Sequence, residues 1–240
     1  MKTIDAAGLD FIELNEMIRG SDGDLKIKGC LGQRFIGAGQ GGRSLLIEGV
    51  PGNALGAYLN GGRIEVFGNA QDAAGDTMNS GEIAVHGSIG DTAGYAMRGG
   101  TIYVQGNAGY RAGIHMKEYK EHVPVIVIGG RAGSFLGEYQ AGGVIIVLGL
   151  HTDCRPIVSN FPCTGMHGGK LFLRSDCKGL LFPDQARVRR AEADDMAEID
   201  PYLKRFCKLF GQDYKELAAA EFTVVTPNSA NPYRQLYVAN

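Results

Sequence analysis

No run of eighteen apolar residues occurs in this 240-residue sequence, so a membrane-spanning helix is not expected. A basic stripe is missing too. Net charge is −2 with both signs interspersed, which excludes the electrostatic footprint of a nucleic-acid binder. The opening stretch MKTIDAAGLDFIEL mixes acids among its apolar residues and lacks the pattern of a signal peptide. Proline is scarce, at 8 residues, and no every-third-residue glycine period exists, which excludes collagen. The five cysteines (Cys30, Cys154, Cys163, Cys177 and Cys207) are odd in number and never spaced CxxC. They predict reduced thiols in a cytoplasmic setting. No G-x-S-x-G elbow is present, so a serine hydrolase has no support.

What the sequence has in excess is glycine, 37 residues, about twice average usage. The glycines are periodic. Gly49, Gly68, Gly87, Gly106, Gly130 and Gly149 form one column, and Gly56, Gly75, Gly94, Gly113 and Gly137 a second. The spacing is nineteen residues, interrupted once by a five-residue insertion in the polar segment Lys117–His122. Apolar columns keep the same step: Ile64, Ile83, Ile102, Ile126 and Ile145, then Val66, Val85, Val104, Ile128 and Val147 two residues on. A third column holds Leu55, Ala74, Ala93, Ala112 and Leu136, and a fourth holds Leu59, Met78, Met97 and Met116. Period two within a unit predicts a strand with one buried face. The unit is too short for a strand plus crossover helix. Its glycines mark corners that need positive φ or close backbone approach. The expected fold is therefore an all-β, right-handed parallel β-helix, in which stacked coils bury what one coil cannot. A leucine-rich repeat is the competitor, but its Leu/Asn signature is absent.

Residues 1–183 are assigned to the β-helix with a short lead-in carrying a helix around Asp10–Met17. Residues 184–240 change texture, becoming charged and almost free of glycine. Asp200-Pro201 predicts an N-cap followed by a helix-starting proline, with Leu203, Phe206 and Phe210 at helical spacing and Gly211 as the stop. A second short helix is expected over Asp213–Ala219. The pair is expected to act as a lid on an open edge, followed by a strand-like, then extended, tail.

The whole chain resembles the C-terminal β-helix domain of the glutamate synthase large subunit, the GXGXG domain. The resemblance rests on Leu14-Asn15-Glu16 and Arg19, on Gly29-Cys30-Leu31-Gly32-Gln33-Arg34-Phe35-Ile36-Gly37-Ala38-Gly39, on the stacked G-x(6)-G units, and on PYLKRFCKLFGQDYKEL with Phe222–Pro227. The coils alone also resemble the β-helix subunit of formylmethanofuran dehydrogenase. The likeness implies a non-catalytic scaffold with no catalytic and no cofactor-binding residue of its own. FMN and an iron–sulfur cluster are implied on partner subunits, beside an amidotransferase chain, for glutamate formation from glutamine and 2-oxoglutarate. Self-association, a scaffold role in another complex, and independent metal binding remain as alternatives.

Four further features bear on chemistry. Gly37, Gly39 and Gly42 fit G-x-G-x-x-G, but outside a βαβ unit they read as corner glycines rather than a dinucleotide site. His151, Cys154, Cys163 and His167, with Asp153 beside them, are chemically suitable zinc ligands, although H-x-x-C…C-x3-H is not a standard knuckle. His86 is expected on the surface, and His115 and His122 flank the insertion, which is either a surface excursion or a partner contact. Asp72, Asp76 and Asp91 lie at corners, and nothing points to paired acid chemistry.

Overall fold

The computed structural model describes residues 1–152 and 155–228. Its strands are β1 (Lys2–Asp5), β2 (Leu25–Leu31), β3 (Ser44–Val50), β4 (Asn60–Phe67), β5 (Ser80–Val85), β6 (Thr101–Val104), β7 (Val125–Ile128), β8 (Ala141–Val147), β9 (Gly168–Leu173), β10 (Ala186–Arg190) and β11 (Thr223–Pro227). Three helices interrupt them: α1 (Phe11–Arg19), α2 (Ala193–Phe210) and α3 (Tyr214–Ala218). The eleven strands form one sheet in the order β1 to β9, then β11, then β10. Pairing is parallel through β9 and antiparallel at β11 and β10. The result is a β-solenoid of about eight turns with coils of about nineteen residues. No helix among the described residues is long and apolar enough to cross a membrane.

Register confirms the columns. Leu25, Leu45, Ile64, Ile83, Ile102, Ile126, Ile145 and Leu171 are successive partners from strand to strand. Ile27, Ile47, Val66, Val85, Val104, Ile128, Val147 and Leu173 form the neighbouring column, and all sixteen side chains lie in one buried core. The small third column and the methionine column join that core, and the latter continues to Met166.

Glycine is required at the second column for two reasons at once. Gly56, Gly75, Gly94, Gly113 and Gly137 have φ between +61° and +71°, a region that costs an L-residue about 1–2 kcal/mol. In addition, a Cβ at Gly75 would stand 2.5 Å from Ile102 Cδ1, and one at Gly113 would stand 2.4 Å from Ile145 Cδ1. The isoleucine column therefore fills the space that the glycine column leaves. Left-handed residues also flank each of these glycines two positions away, and none of them is glycine: Ala54 and Tyr58 stand around Gly56, Arg111 and His115 around Gly113. Their side chains point away from the crowded interior, so only the backbone strain remains.

The first column works differently. Gly49 and Gly68 have φ +119° and +155°, and a Cβ at Gly49 would meet Cys30 O at 2.2 Å. At Gly87, Gly106 and Gly130 the missing Cβ makes room for a polar side chain of the preceding coil. Asn69 Oδ1 accepts from Ser88 N–H, Ser88 Oγ from Asn107 N–H and Asn107 Oδ1 from Arg131 N–H, each at 2.8–3.0 Å. Asp72 and Asp91 do the same one corner later, accepting from the Asp91 and Tyr110 N–H groups. These carboxylates hold coils together.

The C-terminal region departs from expectation in two places. Helix α2 starts at Ala193, and Pro201 lies inside it. The start is fixed by Asp195, whose carboxylate accepts from Glu192 N–H at 2.9 Å and binds Arg189. An interior proline costs roughly 3 kcal/mol in an isolated helix. Here Ile199, Leu203 and Phe206, on both sides of it, are fully buried on the sheet, which offsets that cost. The helices also do not lid an edge. They cover the outer face of the later coils, where Tyr103, Val127, Ile146 and Phe172 form an apolar outward column. The edge beyond β9 is closed by β11 and then β10.

Candidate functional site

Among the described residues, the polar group of the last coil does not assemble into a metal site. Cys163 is fully buried in the solenoid core, and burial pushes its thiol up to about 12. His167 places Nδ1 3.2 Å from Gly165 O. His151 is exposed at φ +57°. Cys154 and Asp153 lie outside the described residues. Among the described residues, no group of three or more His, Cys, Asp or Glu side chains is placed to hold a metal ion. Because Cys163 faces inward, His151, Cys163 and His167 do not converge. The other described thiols, Cys30, Cys177 and Cys207, are buried too, and burial pushes Cys30 up to about 11.

The three remaining histidines are engaged in ring contacts or turns. His86 stacks on Phe67 with centroids 4.4 Å apart, meets Phe210 edge-on, and binds Glu65 Oε1 at 2.9 Å. It therefore sits under the end of α2, half-buried rather than fully on the surface. His115 stacks on Tyr139 at 5.2 Å and meets Tyr95 edge-on. His122 closes the insertion as a tight turn, exchanging backbone hydrogen bonds with Tyr119. The corner face thus exposes a run of aromatic rings, including Tyr95, Tyr110 and Phe161.

The best-formed cleft lies at the N-terminal end of the solenoid, between α1 and the first corner. Its volume is about 460 Å³, and Asn15, Arg19, Gly37, Ala38, Gly41 and Arg43 are among its lining residues. Helix α1 is set by Asp10, whose side chain accepts from Ile12 and Glu13 N–H while Glu13 returns a bond to Asp10 N–H, a capping box. Its last turn is tied to the corner by Arg43, whose Nη1 donates to Ile18 O and Ser21 O at 2.9 and 2.8 Å. A cation there also suits the helix dipole. Arg34 lies over the Phe11 ring at 4.7 Å. Gly37 and Gly39 of the G-x-G-x-x-G run line this cleft with φ +69° and +66°. They are corner residues, and their spacing alone does not show that a helix closes over them.

Two buried glutamines escaped the sequence analysis. Gln40 and Gln140 occupy the methionine column, Gln40 before Leu59 and Gln140 between Met116 and Met166. Each donates Nε2 to the carbonyl three residues on, Arg43 O and Gly143 O, and so staples its corner. The hint was available: both sit three residues after a corner glycine, Gly37 and Gly137.

Fold and corners together define a glycine-cornered parallel β-solenoid whose polar side chains are largely spent on coil-to-coil bonding. The chain belongs to the GXGXG family, whose motif model matches residues 25–230. It is 44% identical over 248 aligned positions to an uncharacterized protein of Methanocaldococcus jannaschii, covering 98% of this chain and 95% of that one. In fold it is similar to a chain of the formyltransferase/hydrolase complex of Methylorubrum extorquens, solved in complex with methylofuran. The TM-score is 0.66 at 22% identity, over 92% of this chain and 88% of that chain.

Proposed function

We propose that this chain is a non-catalytic scaffold subunit of a glutamate-synthase-type assembly, holding an amidotransferase chain and an FMN- and iron–sulfur-bearing chain in place. The observation that carries this reading is the match of the GXGXG motif over residues 25–230, the coils and the closing strand alike. Support comes from the state of the reactive groups. The buried thiols are held neutral by desolvation, and the corner carboxylates Asp72 and Asp91 are occupied by neighbouring coils. The exposed rings Tyr95, Tyr110 and Phe161 offer the kind of aromatic surface enriched at protein interfaces.

The test is purification of the tagged chain from its native cells, with mass spectrometry of whatever stays bound. Recovery of an amidotransferase and a flavin-bearing chain in fixed ratio is the expected result. Recovery of neither defeats the proposal. A second reading, a scaffold in a formyltransferase/hydrolase-type complex, is favoured by the fold similarity over 92% of the chain. It predicts subunits of that complex in the same experiment.

A further inference from the structure

We propose that the cleft between α1 and the first corner binds a free acidic α-amino acid. The starting point is the hydrogen-bond pattern of the corners. In each later coil, alternate backbone groups reach back to the coil before. Gly56 N–H donates to Ile36 O and Asn60 N–H to Gln40 O, both at 2.8 Å; Gly75 N–H and Asn79 N–H repeat this one coil on. Carbonyls point back as well: Ala57 O accepts from Gly39 N–H at 2.7 Å. The first corner has no coil to reach back to, because the chain after β1 turns into α1 instead. Gly37 N–H, Gly41 N–H and Ala38 C=O are the equivalent groups, and none has a hydrogen-bond partner among the described residues. The three residues that carry them line the cleft.

Helix α1 replaces one bond of the missing coil. Asn15 Nδ2 donates to Arg34 O at 2.9 Å and to Phe11 O at 2.7 Å. Asn15 is only 7% exposed, and its Oδ1 accepts no hydrogen bond among the described residues. The cleft therefore presents backbone donors and two acceptors in a fixed frame. To these it adds the guanidinium of Arg19 and the part of Arg43 that is not bound to Ile18 O and Ser21 O, with no Asp or Glu among the lining residues. Arg19 forms no ion pair among the described residues. Phe11, Ile12 and Phe35 supply an apolar wall.

This inventory calls for a compact ligand with negative charge for the guanidinium and N–H groups and a positively charged donor for Asn15 Oδ1 and Ala38 O. A zwitterionic amino acid meets both demands, and two arginines call for a second carboxylate on its side chain. A cleft of about 460 Å³ lies in the size range of small-molecule sites. The proposal stands apart from the scaffold reading and from the identity of any partner.

The test is calorimetric titration of the full chain with L-glutamate and L-aspartate, alongside glutarate, which lacks the ammonium group, and inorganic phosphate. Saturable binding of one of the amino acids with a Kd below about 1 mM is expected. Glutarate should bind at least about tenfold more weakly, since the acceptors are then left unmatched. Arg19→Gln should weaken amino-acid binding about tenfold while leaving the urea midpoint unchanged. Three results overturn the proposal: no saturable binding of either amino acid, glutarate or phosphate binding as tightly, or full affinity in a folded Arg19→Gln variant.

Discussion

Arg205 and Glu82 meet across 123 residues of sequence: the guanidinium donates through Nε and Nη2 to the two carboxylate oxygens at 2.8 and 2.6 Å. The pair fastens α2 to β5. Arg63 adds a second cation, its Nε 3.0 Å from Glu82 Oε1 but misaligned for a hydrogen bond. Both partners are half-buried, so the bidentate geometry contributes more than an ordinary surface pair. Arg205→Ala should lower stability by roughly 1–2 kcal/mol, read as a lower urea midpoint at unchanged slope. An unchanged midpoint would show that α2 is held by its apolar face alone.

The contact between the glycine and isoleucine columns makes a paired prediction. Gly75→Ala places a methyl 2.5 Å from Ile102 Cδ1 at φ +70°, and should cost roughly 2–4 kcal/mol. Ile102→Val removes the opposing methyl. In the double variant the two losses should therefore be less than additive, by at least about 0.5 kcal/mol. Strict additivity in a double-mutant cycle would refute interior crowding and leave backbone strain as the whole cost.

Phe206 is fully buried between α2 and the sheet and meets Phe210 at 4.9 Å, edge to face. Phe206→Ala should destabilise the protein by about 3–5 kcal/mol. It should also make α2 the first site of limited proteolysis, with the coils surviving as a resistant fragment. Uniform digestion of the whole chain would instead mean that helix and solenoid unfold as one unit.

Burial raises Cys163 from an ordinary 9.0 to about 12. An acid whose folded pKa is raised keeps its proton in the native state, while the unfolded chain releases it above its ordinary value. Stability is thus unaffected below about pH 9 and falls as pH rises from there toward 12, at up to about 1.4 kcal/mol per pH unit for this thiol. Urea unfolding measured at pH 8, 9 and 10 should show the decline, and Cys163→Ala should make it shallower, leaving the share of buried Cys30. Equal slopes in both proteins would place the alkaline sensitivity elsewhere.

The coils were legible because inward positions repeat. Ile64, Ile83 and Ile102 announce one column, and Gly75, Gly94 and Gly113 the corner against which it packs. Periodicity also placed Met78, Met97 and Met116 correctly. It did not reveal what covers an outward face. The burial of Tyr103 and Val127 depends on Leu203 and Phe206, far along the chain, and nothing local to β6 or β7 carries that information. Pro201 misled for the same reason: helix rules are local, whereas the stripe from Ile199 to Phe206 is stabilised by the sheet beneath it. The left-handed backbone at Ala54 and Tyr58 was invisible, because those residue types do not advertise it. Cys163 and His167 looked like neighbours with shared chemistry until the interior direction of the thiol separated them.

The insertion at Lys117–His122 closes on itself through Tyr119 and His122, and Val125 still pairs with Thr101 in the common register. Extra residues can thus be looped out at a corner without disturbing any rung above or below. A whole rung of nineteen residues presents the same two interfaces it separates. Length in such a molecule is consequently modular: the distance between its two differently closed ends can change in fixed increments, and the spacing it imposes on whatever is attached there would change with it.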